Sequence, residues 1–246
     1  MRIAIMQPYL FPYIGYFQLI AAVDRLLILD DVSFIKKGWI NRNRILMNGE
    51  PHLFQVPLVD ASQNRRICDT KIVDGPWREK LLKSIRHTYG KAPCFDQWFP
   101  QVEAVVRADV TTIAELATLS LRHVCQYLGI PTPMTSTTDR YSDPELSGAD
   151  RILDICRCEK ADGYLNLPGG RELYEPSKFA AHNIQLSFLK PPDVSYRQFG
   201  NSFVPHLSII DVLMFNRPEQ ARRLVQSAVV ETAEAHVTPN SGEGSL

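Results

Sequence analysis

The chain has little of what usually announces a function. Lys plus Arg number 27 and Asp plus Glu number 27, so its 246 residues carry no net charge. The basic excess that supplies affinity for nucleic acid or an anionic membrane is missing, which argues against a nucleic-acid partner while leaving room for a local basic patch. No apolar run reaches the roughly 18 residues that a bilayer-spanning helix needs. Met1-Arg2-Ile3 already reads as a strand and no small-residue cleavage site follows an apolar core, so we read no signal peptide and expect a cytoplasmic protein. The five cysteines are odd in number and irregularly spaced, which reads as reduced thiols rather than a disulfide framework. Cys156-Arg157-Cys158 lies in a helical pattern, where residues two apart leave on different faces. No HExxH spacing, no GKS or GKT loop, no dinucleotide glycine fingerprint and no G-x-S-x-G elbow occurs. We therefore expect no bound metal, and the sequence names no cofactor.

Apolar residues make up 45% of the chain, enough for a substantial core. Residues 2–6 read as a buried strand, 12–23 as a helix and 25–31 as a second short strand. That βαβ order calls for two parallel strands and a Rossmann-like start. Residues 39–59 read as two strands around Asn48-Gly49, and 65–74 as a third. Helices are expected at about 77–89, 94–107 and 110–128, the last closed by Gly129. The final third alternates short strands and helices and ends in a helix over 218–233. The expectation is a single α/β domain over 1–231, with a parallel core, a β-hairpin insertion at about 39–74 and a helical segment at about 77–129. A disordered tail over 232–246 would follow.

In a parallel sheet, ligands bind in the crevice beyond the carboxyl ends of the strands. The loop "QPYLFPYIGY" follows the first strand, and Gln7, Tyr9 and Tyr16 are candidate ligand contacts there. The plainer reading makes its aromatics core residues. Asp30 and Asp31 end the second strand; one of them is a candidate general base, sugar-hydroxyl partner or Mg²⁺ ligand, and the alternative is a pair of turn-capping acids. In "KKGWINRNRI", Lys37, Arg42 and Arg44 offer phosphate contacts, while alternation puts Asn41 and Asn43 on the other side. A solvated edge strand is the alternative. Gly169 and Gly170 could bring backbone amides to an anion, with Arg171 and Tyr174 beside them, or form a plain turn. His206 precedes an apolar helix and is a candidate acid/base, whereas Ser208 and Asp211 fit a capping box.

"IAIMQPYLFPYIGYFQLI", "DDVSFIKKGWINRNRI", "GGRELY" and "PHLSIIDVLMFN" together resemble the WbqC-like family, from the first strand to about Asn216. "NLPGG" departs from the family's usual Asn-Pro-Ile-Gly-Gly, and His206 stands where an aromatic such as Trp is common. The resemblance implies a bacterial protein associated with O-antigen, lipopolysaccharide and related surface-sugar synthesis. It implies a transferase, acylating or aminoacylating an amino group of a nucleotide-activated sugar, with an acyl donor or an acyl-carrier-type protein as partner. The alternatives are a non-catalytic module that binds a sugar nucleotide or carrier protein, and a hydrolase built on His206.

Overall fold

β1 (Arg2–Met6) becomes an inner strand of a six-stranded sheet. The structure, a computed structural model, describes residues 1–138, 140–141, 146–190, 192–200 and 202–233. After α1 (Ile14–Ala21), β2 (Arg25–Ile28) lies parallel to β1, from Ile3 opposite Arg25 to Met6 opposite Ile28. Successive residues of β1 feed opposite faces, as the pleat requires. Ala4 enters the large core with α1, and Ile3 and Ile5 enter a smaller one on the other side.

The chain then leaves the sheet. β3 (Arg42–Met47) and β4 (Glu50–Gln55) form a separate antiparallel hairpin. Asn48 and Gly49 take φ of 54° and 82°, the two left-handed residues that a two-residue hairpin turn demands. Three helices follow: α2 (Trp77–Tyr89), α3 (Phe95–Val106) and α4 (Ile113–Leu128). Thr112 and Glu115 cap α4 reciprocally, and Gly129, at φ 64°, closes it.

β5 (Met134–Ser136) returns to the sheet beside β2. α5 (Gly148–Cys158) then carries the chain across to the far side of β1, where β6 (Gly163–Asn166) pairs with it. A 3₁₀ turn over Pro168–Leu173 and α6 (Pro176–Ala180) lead to β7 (Gln185–Lys190). α7 (Ile209–Phe215) and α8 (Pro218–Gln226) precede β8 (Val229–Thr232), which runs antiparallel to β7 at the edge.

The spatial order is β5-β2-β1-β6-β7-β8. Counted along the chain, this is third, second, first, fourth, fifth and sixth, the order of a doubly wound sheet with its switch point between β1 and β6.

Two expectations are corrected. Residues 65–74 form no third strand; they make isolated bridges to three separate partners, Ser33 with Arg66, Leu58 with Ile72 and Lys71 with Thr112, so no ladder develops. The last helix stops at Gln226, because the β-branched run beginning at Val229 finds the free edge of β7. Thr232 is thus in a strand, and the rest of the expected tail, 234–246, lies outside the described residues.

Candidate functional site

The loop between β1 and α1 is held from every side. The Tyr16 hydroxyl donates to the carbonyl of Gln7 at 2.8 Å. Leu10 N–H reaches Ile40 O at 3.2 Å, and Ile209 N–H reaches Pro12 O at 2.9 Å. Phe11 sits at φ 42°, a left-handed conformation that a bulky residue rarely adopts. Its N–H donates to Ser120 Oγ at 3.0 Å, and its carbonyl accepts from Asn43 Nδ2 and Ser208 Oγ, each at 2.7 Å. This over-determined geometry sustains the strained residue. Tyr16, fully buried, and Asn43 and Ser208 therefore set the loop's shape from the inside.

Gln7 and Asn166 leave β1 and β6 at the switch point, and a cavity of about 620 Å³ opens between them. Its walls include Tyr9, Gly169, Gly170, Tyr174 and Arg151 from α5. Gly170 is needed for space: a Cβ there would lie 2.6 Å from Asn166 Nδ2. A Cβ on Gly169 would meet nothing. Burial raises the pKa of Tyr9 and of Tyr174, so both phenols stay neutral and serve as hydrogen-bonding groups. Two buried polar atoms of the cavity's lining residues have no hydrogen-bond partner among the described residues, Gln7 Oε1 and Arg151 Nε.

Tyr9 and Gly169 also wall a second hollow of about 350 Å³, with Trp39, Arg44, Tyr13 and His206. Tyr13 and His206 in turn border a third, of about 450 Å³, between α1, α7 and the strap leading into α7. The three hollows are neighbours that share these walls, and together they are called the trough. The Arg44 guanidinium stacks 5.0 Å from the Trp39 ring centre and makes no ion pair among the described residues. His206 is exposed and held at φ 58°, another left-handed residue.

The two acids at the end of β2 are elsewhere engaged. Asp30 accepts from Ser136 Oγ, from Thr138 Oγ1 at 2.6 Å and from Thr138 N–H at 3.2 Å, which ties β2 to the end of β5. Asp31 pairs with Arg151 and accepts from Thr137 Oγ1 at 2.7 Å. Neither carboxylate lines the switch-point cavity. The asparagines of the hairpin also turn inward, Asn41 donating to Val56 O at 2.8 Å. Arg42 spends its guanidinium on the carbonyls of Gly38, at 2.9 Å, and Lys37. Lys37 and Arg42 border a separate hollow of about 240 Å³, away from the trough.

Asp211 corrects the capping expectation in part. Ser208 does cap α7, accepting from Ile210 N–H at 3.2 Å. Asp211 is fully buried and instead accepts from Tyr89 Oη at 2.8 Å, Tyr196 Oη at 2.7 Å and Gln198 Nε2 at 2.7 Å. Burial pushes its carboxyl above the ordinary value, with these three donors pulling the other way.

Sequence reasoning missed Arg151, which lies in an ordinary amphipathic helix pattern, and Asn166. The latter was within reach, since it closes a strand at the carboxyl edge of a parallel sheet.

The fold and cavity define a doubly wound α/β protein with its ligand-sized opening at the topological switch point. More particularly, the chain belongs to the WbqC-like protein family, whose model matches residues 7–223. It is similar to "Uncharacterized protein Rv1507c" of Mycobacterium tuberculosis, 28% identical over 222 residues that cover 87% of this chain and 93% of that one. No solved structure matches the chain.

Proposed function

We propose that the protein binds a nucleotide-activated sugar at the switch point and acts in bacterial surface-polysaccharide synthesis. The observation that carries this reading is the pair of unpartnered buried atoms on one cavity, Gln7 Oε1 and Arg151 Nε. A buried polar group left unpaired costs about 1–3 kcal/mol, and a polyhydroxylated, anionic ligand satisfies both. The family's name agrees with a polysaccharide role.

The reaction is acyl or aminoacyl transfer to an amino group of the sugar. His206, on the trough beside the cavity, is its proton acceptor. The amine nitrogen attacks the carbonyl carbon of an activated donor, a thioester or ester. The carbon–nitrogen bond forms and the bond to the leaving thiol or alcohol breaks. His206 takes the proton from the amine and returns it to that leaving group.

Titration calorimetry with a UDP-amino sugar tests the binding step. Binding that weakens at least about tenfold in Gln7→Leu supports the reading, and absence of binding to the wild type overturns it. The engaged state of Asp30 and Asp31 favours a second reading, a binding module without a base. Product formation lost in His206→Ala, with the sugar still bound, decides for the transferase.

A further inference from the structure

The third hollow has a chemistry of its own. Gln18, on the inner face of α1, is 1% exposed. Its Nε2 donates to Leu224 O at 2.9 Å, while its Oε1 is buried with no partner among the described residues. Gln18 is among the residues that border the 450 Å³ space, so its amide lies next to that space. Asp193 lines the same space and makes no ion pair among the described residues. Tyr13, Tyr196 and Phe203 add aromatic rings to a lining otherwise made largely of aliphatic and proline side chains. Tyr196 is fixed by its bond to Asp211, and Phe203 meets it edge-on at 5.1 Å. Tyr13 folds over Gly15, where an added Cβ would lie 2.3 Å from its ring, so a ring covers this side of the first turn of α1.

An amide oxygen, a carboxylate and aromatic rings around one space are the elements of ammonium recognition. An anion would find no Lys or Arg on this lining among the described residues. A neutral acyl chain would leave Gln18 Oε1 unpaired.

We propose that this hollow binds the α-ammonium group of an aminoacyl donor. Gln18 Oε1 accepts one of its hydrogen bonds, Asp193 balances its charge and the Tyr13 and Phe203 rings enclose it. His206 borders both this hollow and the next, so the donor's carbonyl would emerge beside the trough that leads to the sugar. The donor role rests on the transfer reading above, whereas the ammonium site rests on these side chains alone. The consequence is selection for aminoacyl over plain acyl groups.

Two small probes differ only in the amine: alaninamide and propionamide. Ligand-detected NMR titration of the full chain should show alaninamide binding at least about tenfold tighter. Asp193→Asn, a change at an exposed position, should weaken alaninamide about tenfold, and Gln18→Leu should do the same. Affinity for the UDP-amino sugar should stay unchanged in Asp193→Asn. Equal binding of the two amides, no binding of either, or an unaltered alaninamide affinity in Asp193→Asn would overturn the proposal. Loss of UDP-amino sugar binding to the wild type, with alaninamide still bound, would sink the switch-point reading alone.

Discussion

Asn43 Nδ2 lies 2.7 Å from the carbonyl oxygen of Phe11, a bond that spans 32 residues and closes the hairpin onto the first loop. The same nitrogen reaches Leu10 O at 3.2 Å, and Asn43 Oδ1 accepts from Arg44 N–H at 2.8 Å. An amide so fully used is a fastener. Asn43→Ala strips a donor from a strained, buried carbonyl. We expect a loss of about 2–3 kcal/mol, which in calorimetry is a fall in Tm of roughly 5–10 °C.

Arg151 and Asp31 form a pair that is largely shielded, with side chains 15% and 7% exposed. Removing one charge strands the other. Asp31→Asn should cost about 3 kcal/mol in urea unfolding. Arg151→Met keeps the stem but removes the cavity's guanidinium, and should weaken the UDP-amino sugar at least about tenfold. A stable Asp31→Asn protein that has lost only turnover would restore the general-base role to this carboxylate.

Adjacent glycines make opposite predictions. Gly170→Ala puts a methyl group 2.6 Å from Asn166 Nδ2, and Asn166 is itself pinned, its Oδ1 accepting from Leu167 N–H at 2.7 Å. We expect weaker sugar-nucleotide binding together with a lower Tm. Gly169→Ala meets open space and should leave the melting temperature within about 2 °C of the wild type.

The buried carboxyl of Asp211 has its folded value raised above the ordinary 3.8. Its protonated form favours the folded state. That contribution is fully present below the unfolded value and is lost as pH rises through the raised folded one. Melting curves of wild type and Asp211→Asn should therefore diverge in the wild type's favour as pH falls from about 7 toward about 4. A pH-independent difference would mean that the three donors offset the burial.

Much of the frame was legible in the residues. Strand-length apolar runs within 2–6 and 25–31 sit where β1 and β2 form, because a strand buried on both faces reads as a continuous apolar run. Asn48-Gly49 and Gly129 marked a turn and a helix end through backbone freedom alone. The crevice position of Gln7 and of Gly169-Gly170 followed from the strand-end rule.

The orientation of polar side chains was not legible. Alternation separated Asn41 and Asn43 from Arg42 and Arg44, but it could not say which pair faced a ligand. That depended on which carbonyls the first loop brought within 3 Å. Arg42 and Arg44 look alike in sequence and both lie over the Trp39 ring, yet Arg42 is held by the carbonyls of Lys37 and Gly38 while Arg44 borders the trough. Asp30 and Asp31 look like a catalytic pair until β5 and α5, more than a hundred residues on, supply their partners.

Local chemistry by itself determined where strands, turns and caps form, since periodicity and backbone restriction act over a few residues. Only the tertiary structure decided which polar groups are satisfied and which still await a partner. Hydrogen-bond satisfaction is settled by neighbours in space, and it is the folded chain that leaves Gln7, Gln18 and Arg151 each with an atom unpartnered among the described residues.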